Sequence, residues 1–481
     1  MTDRLPHARR LHGVYLVTDH APGLVERVAE AIAGGVGTVQ FRSKEHTPAQ
    51  RAALGLELRQ LCRQTGTLFI VNDDVALARE LAADGVHLGQ DDGDAEAARQ
   101  LLGPDRLVGI STHDLAEALA AQAAGADYIG FGAMYPTGSK EIRHLAGPSL
   151  LAGVRPHVSI PIVAIGGIDR DNAGPVIDAG ADAVAVIAAV MGHPEPALAA
   201  AELRCLFNRG QEWPRGSVLT VAGSDSGGGA GIQADLKTIT LLGAYGASVV
   251  TALTAQNTRG VTGIHAAPAE FVAAQLEAVL SDIPVDVVKT GMLFCAPIIT
   301  IVAQKLREYG RRLVVVDPVM VAKGGANLVD ESAVAAFREE LLPLTYLLTP
   351  NLPEAEALTG LSIGDEAGMA AAARALHAMG ARNVLLKGGH LPGDEAVDLF
   401  FDGRKLQRLT APRFATTNTH GTGCSTASAV AAFLARGEPL PVAVARAKEF
   451  ITTAIRLARP LGHGHGPVNH FAAARELFSK E

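Results

Sequence analysis

The chain has 481 residues, a net charge of −8 and 4% aromatic residues, a length that exceeds one hydrophobic core and allows about two to four domains. No Lys/Arg cluster offers a basic face to nucleic acid, and the longest apolar run, Ala183–Met191, is far too short to cross a bilayer. The opening M-T-D-R-L-P-H-A-R-R lacks the apolar stretch of a secretion signal. Cys62, Cys205, Cys295 and Cys424 are scattered with no C-x-x-C pair, which points to reduced thiols and a cytoplasmic protein.

From the N-terminus to about Asn208, short β-type runs alternate with helical segments eight times. The predicted strands are Val14–Thr18, Thr38–Phe41, Leu68–Val71, Gly85–Leu88, Leu107–Ser111, Tyr128–Phe131, Ile162–Ile165 and Ala183–Ile187. Strict alternation predicts parallel strands, and eight units in this length predict a closed (β/α)8 TIM barrel over residues 1–208, with an open doubly wound sheet as the alternative.

A barrel carries its chemistry just past the C-terminal ends of its strands, and polar residues recur there. Gln40, Arg42 and Lys44 follow the second strand, Asn72 and Asp73 the third, and Gln90, Asp91 and Asp92 the fourth. Ser111 ends the fifth, Thr137, Ser139 and Lys140 follow the sixth, and Gly166 and Gly167 the seventh. Asp73 and Asp92, on neighbouring loops, suit a Mg²⁺ that keeps its waters and takes phosphate oxygens. Arg42, Lys44 and Lys140 supply cations, and the Gly-Gly turn offers backbone N–H groups to a second phosphate. With no obvious side-chain nucleophile, the chemistry implied is departure or transfer of a phosphorylated group.

The motifs Y-L-V-T-D (Tyr15–Asp19), V-Q-F-R-S-K (Val39–Lys44), V-N-D-D (Val71–Asp74), G-V-H-L-G-Q-D-D (Gly85–Asp92), G-I-S-T-H (Gly109–His113), P-T-G-S-K (Pro136–Lys140) and A-I-G-G-I (Ala164–Ile168) resemble thiamine-phosphate synthase, in order and over nearly the whole half. That family joins hydroxymethylpyrimidine diphosphate to a thiazole phosphate and releases pyrophosphate. The resemblance implies that Gln40, Arg42, Lys44, Asn72, Ser111 and Lys140 hold the pyrimidine diphosphate, Lys140 being counted with the catalytic groups. It assigns Mg²⁺ to Asp73 and Asp92, and the thiazole phosphate to Thr137, Ser139, Gly167 and the Ile187–Ala188 turn. Ser139 stands where the family usually has Thr, and Ala188 where it usually has Ser. The second change removes a side-chain phosphate donor worth about 1 kcal/mol.

Leu206–Ser217 breaks the rhythm with Gly, Pro, mixed charge and the only Trp. It reads as a linker centred on residues 209–216, with Trp213 packed against one domain.

Beyond it, residues 217–481 resume the alternation. Strands are predicted at Val218–Ala222, Ser248–Thr251, Asp286–Lys289, Leu313–Val316, Tyr346–Leu348 and Asn383–Leu386, which gives an open parallel sheet flanked by helices. The run after the first strand, G-S-D-S-G-G-G-A-G-I-Q-A-D, matches neither a P-loop nor a dinucleotide fingerprint. Asp317, Asn351, Glu354 and Lys387 fall at strand C-termini, where such sheets bind ligands. They form a phosphoryl-transfer set in which Asp317 and Glu354 serve Mg²⁺ and Lys387 the nucleotide phosphates. T-T-N-T-H-G-T-G-C-S-T (Thr416–Thr426) places Gly421 and Gly423 ahead of an Ala-rich helix, an anion site made of unpaired N–H groups and the helix dipole. Cys424 lies in its mouth, where a helix N-terminus is expected to lower a thiol pKa.

A-G-S-D-S-G-G-G-A-G-I-Q-A-D-L-K-T (Ala222–Thr238), T-A-L-T-A-Q-N-T-R-G-V (Thr251–Val261), K-T-G-M-L (Lys289–Leu293), D-P-V-M-V-A-K (Asp317–Lys323), T-P-N-L-P-E-A-E (Thr349–Glu356), L-K-G-G-H (Leu386–His390) and N-T-H-G-T-G-C (Asn418–Cys424) resemble hydroxymethylpyrimidine/phosphomethylpyrimidine kinase, within the ribokinase-like fold. The resemblance implies a pyrimidine pocket of Gln256 with Gly223, Asp235, Met292 and Val319. It also implies Mg²⁺ at Asp317 and Glu354, ATP as donor, an anion hole at Gly421–Cys424, and Cys424 as the base for the substrate hydroxyl. Ser226 replaces a common Pro. The tail G-H-G-H-G-P-V-N-H invites a metal reading through His463, His465 and His470, but a similar tail belongs to the kinase family.

Together the halves imply a bifunctional thiamine-biosynthesis enzyme, because the product of one is the substrate of the other. The alternative is an active kinase whose barrel isomerises a thiazole phosphate or senses a ligand. The expected partners are small molecules, with no nucleic acid and no membrane; assembly into a homo-oligomer and a pyridoxal kinase side activity are left open.

Overall fold

The computed structural model describes residues 11–20, 22–89, 94–137, 145–320, 331–389 and 391–479. The chain divides into two compact units, Met1–Gly210 and Gln211–Glu481.

In the first unit eight parallel strands close into a barrel: β1 (Gly13–Val17), β2 (Val36–Phe41), β3 (Leu68–Asn72), β4 (Gly85–Leu88), β5 (Leu107–Thr112), β6 (Tyr128–Gly132), β7 (Ile162–Ile165) and β8 (Ala183–Val186). Closure is made by β8 on β1, with Ala183 opposite Gly13 and Val186 opposite Leu16. The period-2 alternation of strands sorts their side chains. Val14 and Leu16 join the core beneath the helices, while Tyr15, Ile70, Leu107, Tyr128 and Val163 fill the barrel itself. Helix Leu24–Ala33 answers with Leu24, Val28 and Ala31 on one buried stripe.

The end of the barrel away from the predicted site is tied by a repeated device. Asp84, Asp127 and Asp182, just ahead of β4, β6 and β8, accept the backbone N–H of Phe69, Val108 and Ile162 at 2.9, 2.7 and 2.8 Å. Each also pairs with an arginine, respectively Arg59, Arg99 and Arg155. Polar residues at this end therefore serve stability, which leaves the other rim for chemistry. Phe207–Gly210 is a 3-10 turn of this first unit that buries Phe207 and Asn208, and Arg209 pairs with Asp178 at 2.9 Å. Trp213 packs edge-on against Phe478 with the guanidinium groups of Arg215 and Arg436 over its ring.

The second unit is built on β9 (Ser217–Asp225), β10 (Tyr245–Asn257), β11 (Gly260–Ala266), β12 (Val287–Thr290), β13 (Val314–Val316), β14 (Leu347–Leu348), β15 (Asn383–Lys387), β16 (Glu395–Phe401) and β17 (Leu406–Pro412). Their order is β11-β10-β9-β12-β13-β14-β15-β16-β17. The six central strands are parallel, but the sheet as a whole is mixed rather than parallel. β11 runs antiparallel to β10, β16 to β15 and β17 to β16. β11 and β17 are edge strands with mostly exposed side chains, so they lack the Val/Ile/Leu run of a buried parallel strand. β16 follows β15 after a connection too short for a crossover helix, which forces the antiparallel pairing.

Candidate active sites

In the second unit the strand order reverses at β9, which lies between β10 and β12, and such a switch point leaves a crevice at the strand C-termini. A cavity of about 730 Å³ opens there. Its wall brings together Gly223, Gln256, Met292, Asp317, Val319, Glu354, Lys387, Gly421, Gly423 and Cys424.

Each functional group is set by local structure. N-L-P-E forms a capping box at the start of helix Leu352–Thr359: Asn351 N–H donates to Glu354 Oε2 at 2.8 Å, and Glu354 N–H to Asn351 Oδ1 at 2.9 Å. Lys387 ends β15 with Nζ 2.8 Å from Asp317 Oδ1, and the Thr349 hydroxyl donates to the same oxygen at 3.3 Å. Burial raises the Glu354 carboxyl to about 7, Asp317 adding to the rise and Lys387 opposing it. Burial works against the Lys387 charge, but Asp317 and Glu354 outweigh it and raise its pKa.

Helix Thr422–Ala435 starts over this cluster, capped by Gly421 at φ 81°. A Cβ on Gly421 would lie 1.8 Å from Gly229 O, and one on Gly423 3.2 Å from Lys387 Nζ and 3.3 Å from Asp317 Oδ2. Glycine is therefore what lets the helix N-terminus close on the charged groups.

Two expectations change here. Burial pushes the Cys424 thiol up to about 12, with Asp235 and Asp317 adding to the rise; Lys289 and the Gly231 N–H oppose it. The helix terminus does not win. Asp235 does not line the cavity: it is fully buried, held by Lys289 at 2.8 and 3.0 Å, Thr220 at 2.6 Å and Ser428 at 2.7 Å. It acts on the site from behind the wall.

Asp225 and His420 line the cavity as well, although neither residue was assigned a role from the sequence. Asp225 accepts N–H groups from Gly227, Gly229 and Ala230 at 2.8, 3.0 and 2.8 Å. His420 Nε2 lies 3.0 Å from Asp225 Oδ2 and 3.2 Å from Gln256 Nε2. Burial raises the Asp225 carboxyl, but the bonds from His420, Ala230 and Gly227 outweigh it and leave the pKa lowered. The signal in the sequence was D-S-G-G-G: an aspartate ahead of glycines folds back on their N–H groups.

The Gly/His tail straps this region. Gly464 N–H bonds to Thr258 Oγ1 at 3.2 Å, His465 N–H to Thr258 O at 2.7 Å, and His420 N–H to Gly466 O at 3.0 Å. His470 is buried against Ser425 Oγ at 2.8 Å, and burial lowers its pKa to about 4.

On the barrel rim, Arg42, Lys44, Asn72 and Asp73 surround an opening of about 620 Å³ together with Arg51 and Asp74. The Thr18 hydroxyl pins Arg42, taking its N–H at 2.9 Å and donating to its carbonyl at 3.1 Å. Asp73 adopts a left-handed φ of 64°, a conformation that Asp and Asn tolerate better than other non-glycine residues. Its N–H bonds to His87 O at 2.8 Å, and the Asn72 amide donates to its carboxylate. Thr137 and Gly167 come together because Tyr135 N–H bonds to Gly166 O at 3.0 Å, and a Cβ on Gly167 would lie 2.5 Å from Pro136 O. Ile187 and the exposed Ala188 open a short helix, Ala188–Met191, after β8. Gln40 and Ser111 lie inside the rim, linked through Tyr15, Tyr128 and His87. Asp92, Ser139 and Lys140, like Gln90 and Asp91, lie outside the described residues. Arg51 had no signal beyond an ordinary helix-surface charge.

A phosphate-ready barrel rim and a ribokinase-like phosphoryl-transfer crevice define a two-part transferase. The phosphomethylpyrimidine kinase family model matches residues 225–469, and the thiamine monophosphate synthase model residues 14–190. The chain is 64% identical to the thiamine biosynthesis bifunctional protein ThiED of Geobacter sulfurreducens, over 99% of this chain and 97% of the relative. It is 40% identical to the thiamine biosynthesis multifunctional protein ThiED of Corynebacterium efficiens, over 96% of this chain and 65% of the relative. Among solved structures, an ADP complex of Bacillus subtilis pyridoxal kinase aligns with TM-score 0.51 and 40% identity over 53% of this chain and 98% of that one. The chain belongs to the family of bifunctional thiamine biosynthesis enzymes, with a thiamine-phosphate synthase domain and a hydroxymethylpyrimidine/phosphomethylpyrimidine kinase domain. Neither an isomerase nor a sensing role for the barrel is favoured.

Proposed function

We propose that the second unit phosphorylates 4-amino-5-hydroxymethyl-2-methylpyrimidine twice with ATP, and that the barrel couples the resulting diphosphate to thiazole phosphate, releasing pyrophosphate. The observation that carries the kinase half is the convergence of Lys387, Asp317 and the Gly421–Cys424 helix start on one cavity. Lys387 would meet the donor's phosphates, and the N–H groups at Gly421–Cys424 would take the charge that develops on the transferring group. Gln256, held by Asp225 through His420, would read the pyrimidine beside Gly223, Met292 and Val319.

Asp317 and Glu354 fit a Mg²⁺, since Glu354 is raised partly by the Asp317 charge beside it, a repulsion that a cation relieves. Bound there, Mg²⁺ would neutralise phosphate charge. Cys424, the expected base, is a neutral thiol in the free site, so it must ionise once ligands are in place. Lys289 favours that ionisation, and neutralising Asp317 removes one of the charges opposing it.

At the barrel rim Arg42 and Lys44, with Lys140, would stabilise departing pyrophosphate. Asp73 and Asp92 would hold the second Mg²⁺. Thr137, Ser139, Gly167 and the Ile187–Ala188 turn would hold the thiazole phosphate, whose ring nitrogen captures the pyrimidine methylene cation.

The test supplies purified protein with hydroxymethylpyrimidine, thiazole phosphate, ATP and Mg²⁺. Thiamine phosphate should form and depend on every component. Accumulation of pyrimidine diphosphate without thiamine phosphate would refute the barrel reading; no phosphorylated pyrimidine at all would refute the kinase reading.

A further inference from the structure

Barrel interiors are ordinarily layers of Val, Ile and Leu, yet a line of polar side chains crosses this one. Gln40 Nε2 donates to Tyr15 Oη at 3.0 Å, Tyr15 and Tyr128 share a hydroxyl bond of 3.0 Å, Tyr128 Oη lies 3.1 Å from His87 Nδ1, and His87 Nε2 lies 3.0 Å from Ser111 Oγ. Gln40, Tyr15, Tyr128 and His87 are all buried. Room for the two rings comes from glycines: a Cβ on Gly109 would lie 2.1 Å from the Tyr128 ring, and one on Gly130 3.0 Å from His87.

Donor and acceptor counting gives the line a direction. With Gln40 donating, Tyr15 passes its proton to Tyr128 and Tyr128 donates to His87 Nδ1. The His87 proton then sits on Nε2 and points at Ser111, which leaves the Ser111 hydroxyl proton free for a ligand. With Nε2 of Gln40 turned to Tyr15, any other arrangement strands a buried hydroxyl proton, a cost a buried group avoids. Turning the Gln40 amide over reverses every bond: Tyr15 donates to Gln40 Oε1, His87 carries its proton on Nδ1, and Ser111 donates to His87 and offers a ligand only lone pairs.

We propose that this chain makes Tyr15, Tyr128 and His87 positioning residues that couple recognition of the pyrimidine edge at Gln40 to anion binding at Ser111. The proposal rests on the reading of the barrel as the synthase unit. A 4-amino group donates, so it meets Gln40 Oε1, keeps Nε2 on Tyr15 and leaves Ser111 a donor for the diphosphate. A 4-oxo group accepts, turns the amide over and sets Ser111 lone pairs against the anion. One wrong atom is thereby penalised at two places.

The experiment uses the full chain and two probes, the 4-amino pyrimidine diphosphate and its 4-oxo counterpart. Formation of thiamine phosphate from the first establishes the synthase reading independently. Tyr128→Phe should lower the amino-over-oxo preference in kcat/KM by about tenfold or more. In a Ser111→Ala background it should lower that preference no further. If Tyr128→Phe does not fold, wild-type protein labelled with ¹⁵N-histidine decides at pH 8. His87 should carry its proton on Nε2 with the amino probe and on Nδ1 with the oxo probe. The same tautomer with both, or independent effects of the two substitutions, overturns the proposal.

Discussion

Replacing Glu354 by Gln should stabilise the kinase unit while removing its activity. The carboxyl is 6% exposed and burial moves its pKa from 4.5 to about 7. The folded-state pKa is therefore raised, so the folded protein holds an extra proton between those values. Stability from this group is fully present below about 4.5 and is lost as pH rises through about 7. At pH 8 the ionised form costs on the order of 3 kcal/mol relative to a neutral side chain. Gln carries no charge and can still accept the Asn351 N–H, and Lys387 keeps its partner in Asp317. The variant should thus match the wild type near pH 4.5 and exceed it by on the order of 3 kcal/mol at pH 8. Hydrogen exchange of β13 and β14 peptides, read by mass spectrometry in urea at pH 5 and pH 8, separates this unit from the barrel. A variant no more stable than the wild type at pH 8, or a gap that does not widen from pH 5 to pH 8, would refute the reasoning. Kinase turnover should meanwhile fall by about a hundredfold or more.

Cys424, held near 12 by its burial, should be alkylated by iodoacetamide at pH 7 about a thousandfold more slowly than an ordinary thiol; a rate matching that of Cys295 would overturn this. Cys424→Ala should slow both phosphorylations about a hundredfold and leave synthesis from supplied diphosphate unchanged, and wild-type kinase rates would remove its assignment as base. Gly421→Ala forces a side chain into a left-handed residue and onto Gly229 O. It should destabilise the kinase unit by about 2 kcal/mol or more and raise KM for ATP, and an unchanged KM contradicts the anion-hole geometry. Asp73→Asn keeps a residue that tolerates φ 64°, so the barrel should stay folded while thiamine phosphate formation drops about a hundredfold; near-normal synthesis would acquit Asp73.

The barrel was legible because its buried strands are short Val/Ile/Leu runs at regular spacing, and all eight fall within about two residues of the predicted ends. The central kinase strands were legible for the same reason. β11, β16 and β17 were not: an exposed edge strand such as Leu406–Pro412 carries no apolar pattern, and β16, though buried, breaks its apolar run with Asp398 and follows β15 with no helix between to announce it. Among the candidate site residues, position at strand ends was enough to expect that Asp317 and Lys387 would share one cavity. Asp235 was carried into the pyrimidine pocket with its motif, whereas the fold buries it behind the wall and supplies a lysine, Lys289, to neutralise it. The thiol of Cys424 was misjudged because the sequence displays the helix start but not the depth of the wall around it. Tyr15, Tyr128 and His87 read as ordinary strand residues; only barrel closure turns them toward one another.

The strap made by residues 464–466 fixes a timetable for the chain. Residues 464–466 bond both Thr258 and His420, and the ribosome adds them more than forty residues after His420. All eight barrel strands, by contrast, have been added once Val186 is in place. A growing chain therefore acquires its two catalytic units in the reverse of the order in which the proposed reactions use them, and nascent chains stalled before residue 464 should hold a complete barrel and a kinase unit that still lacks its strap.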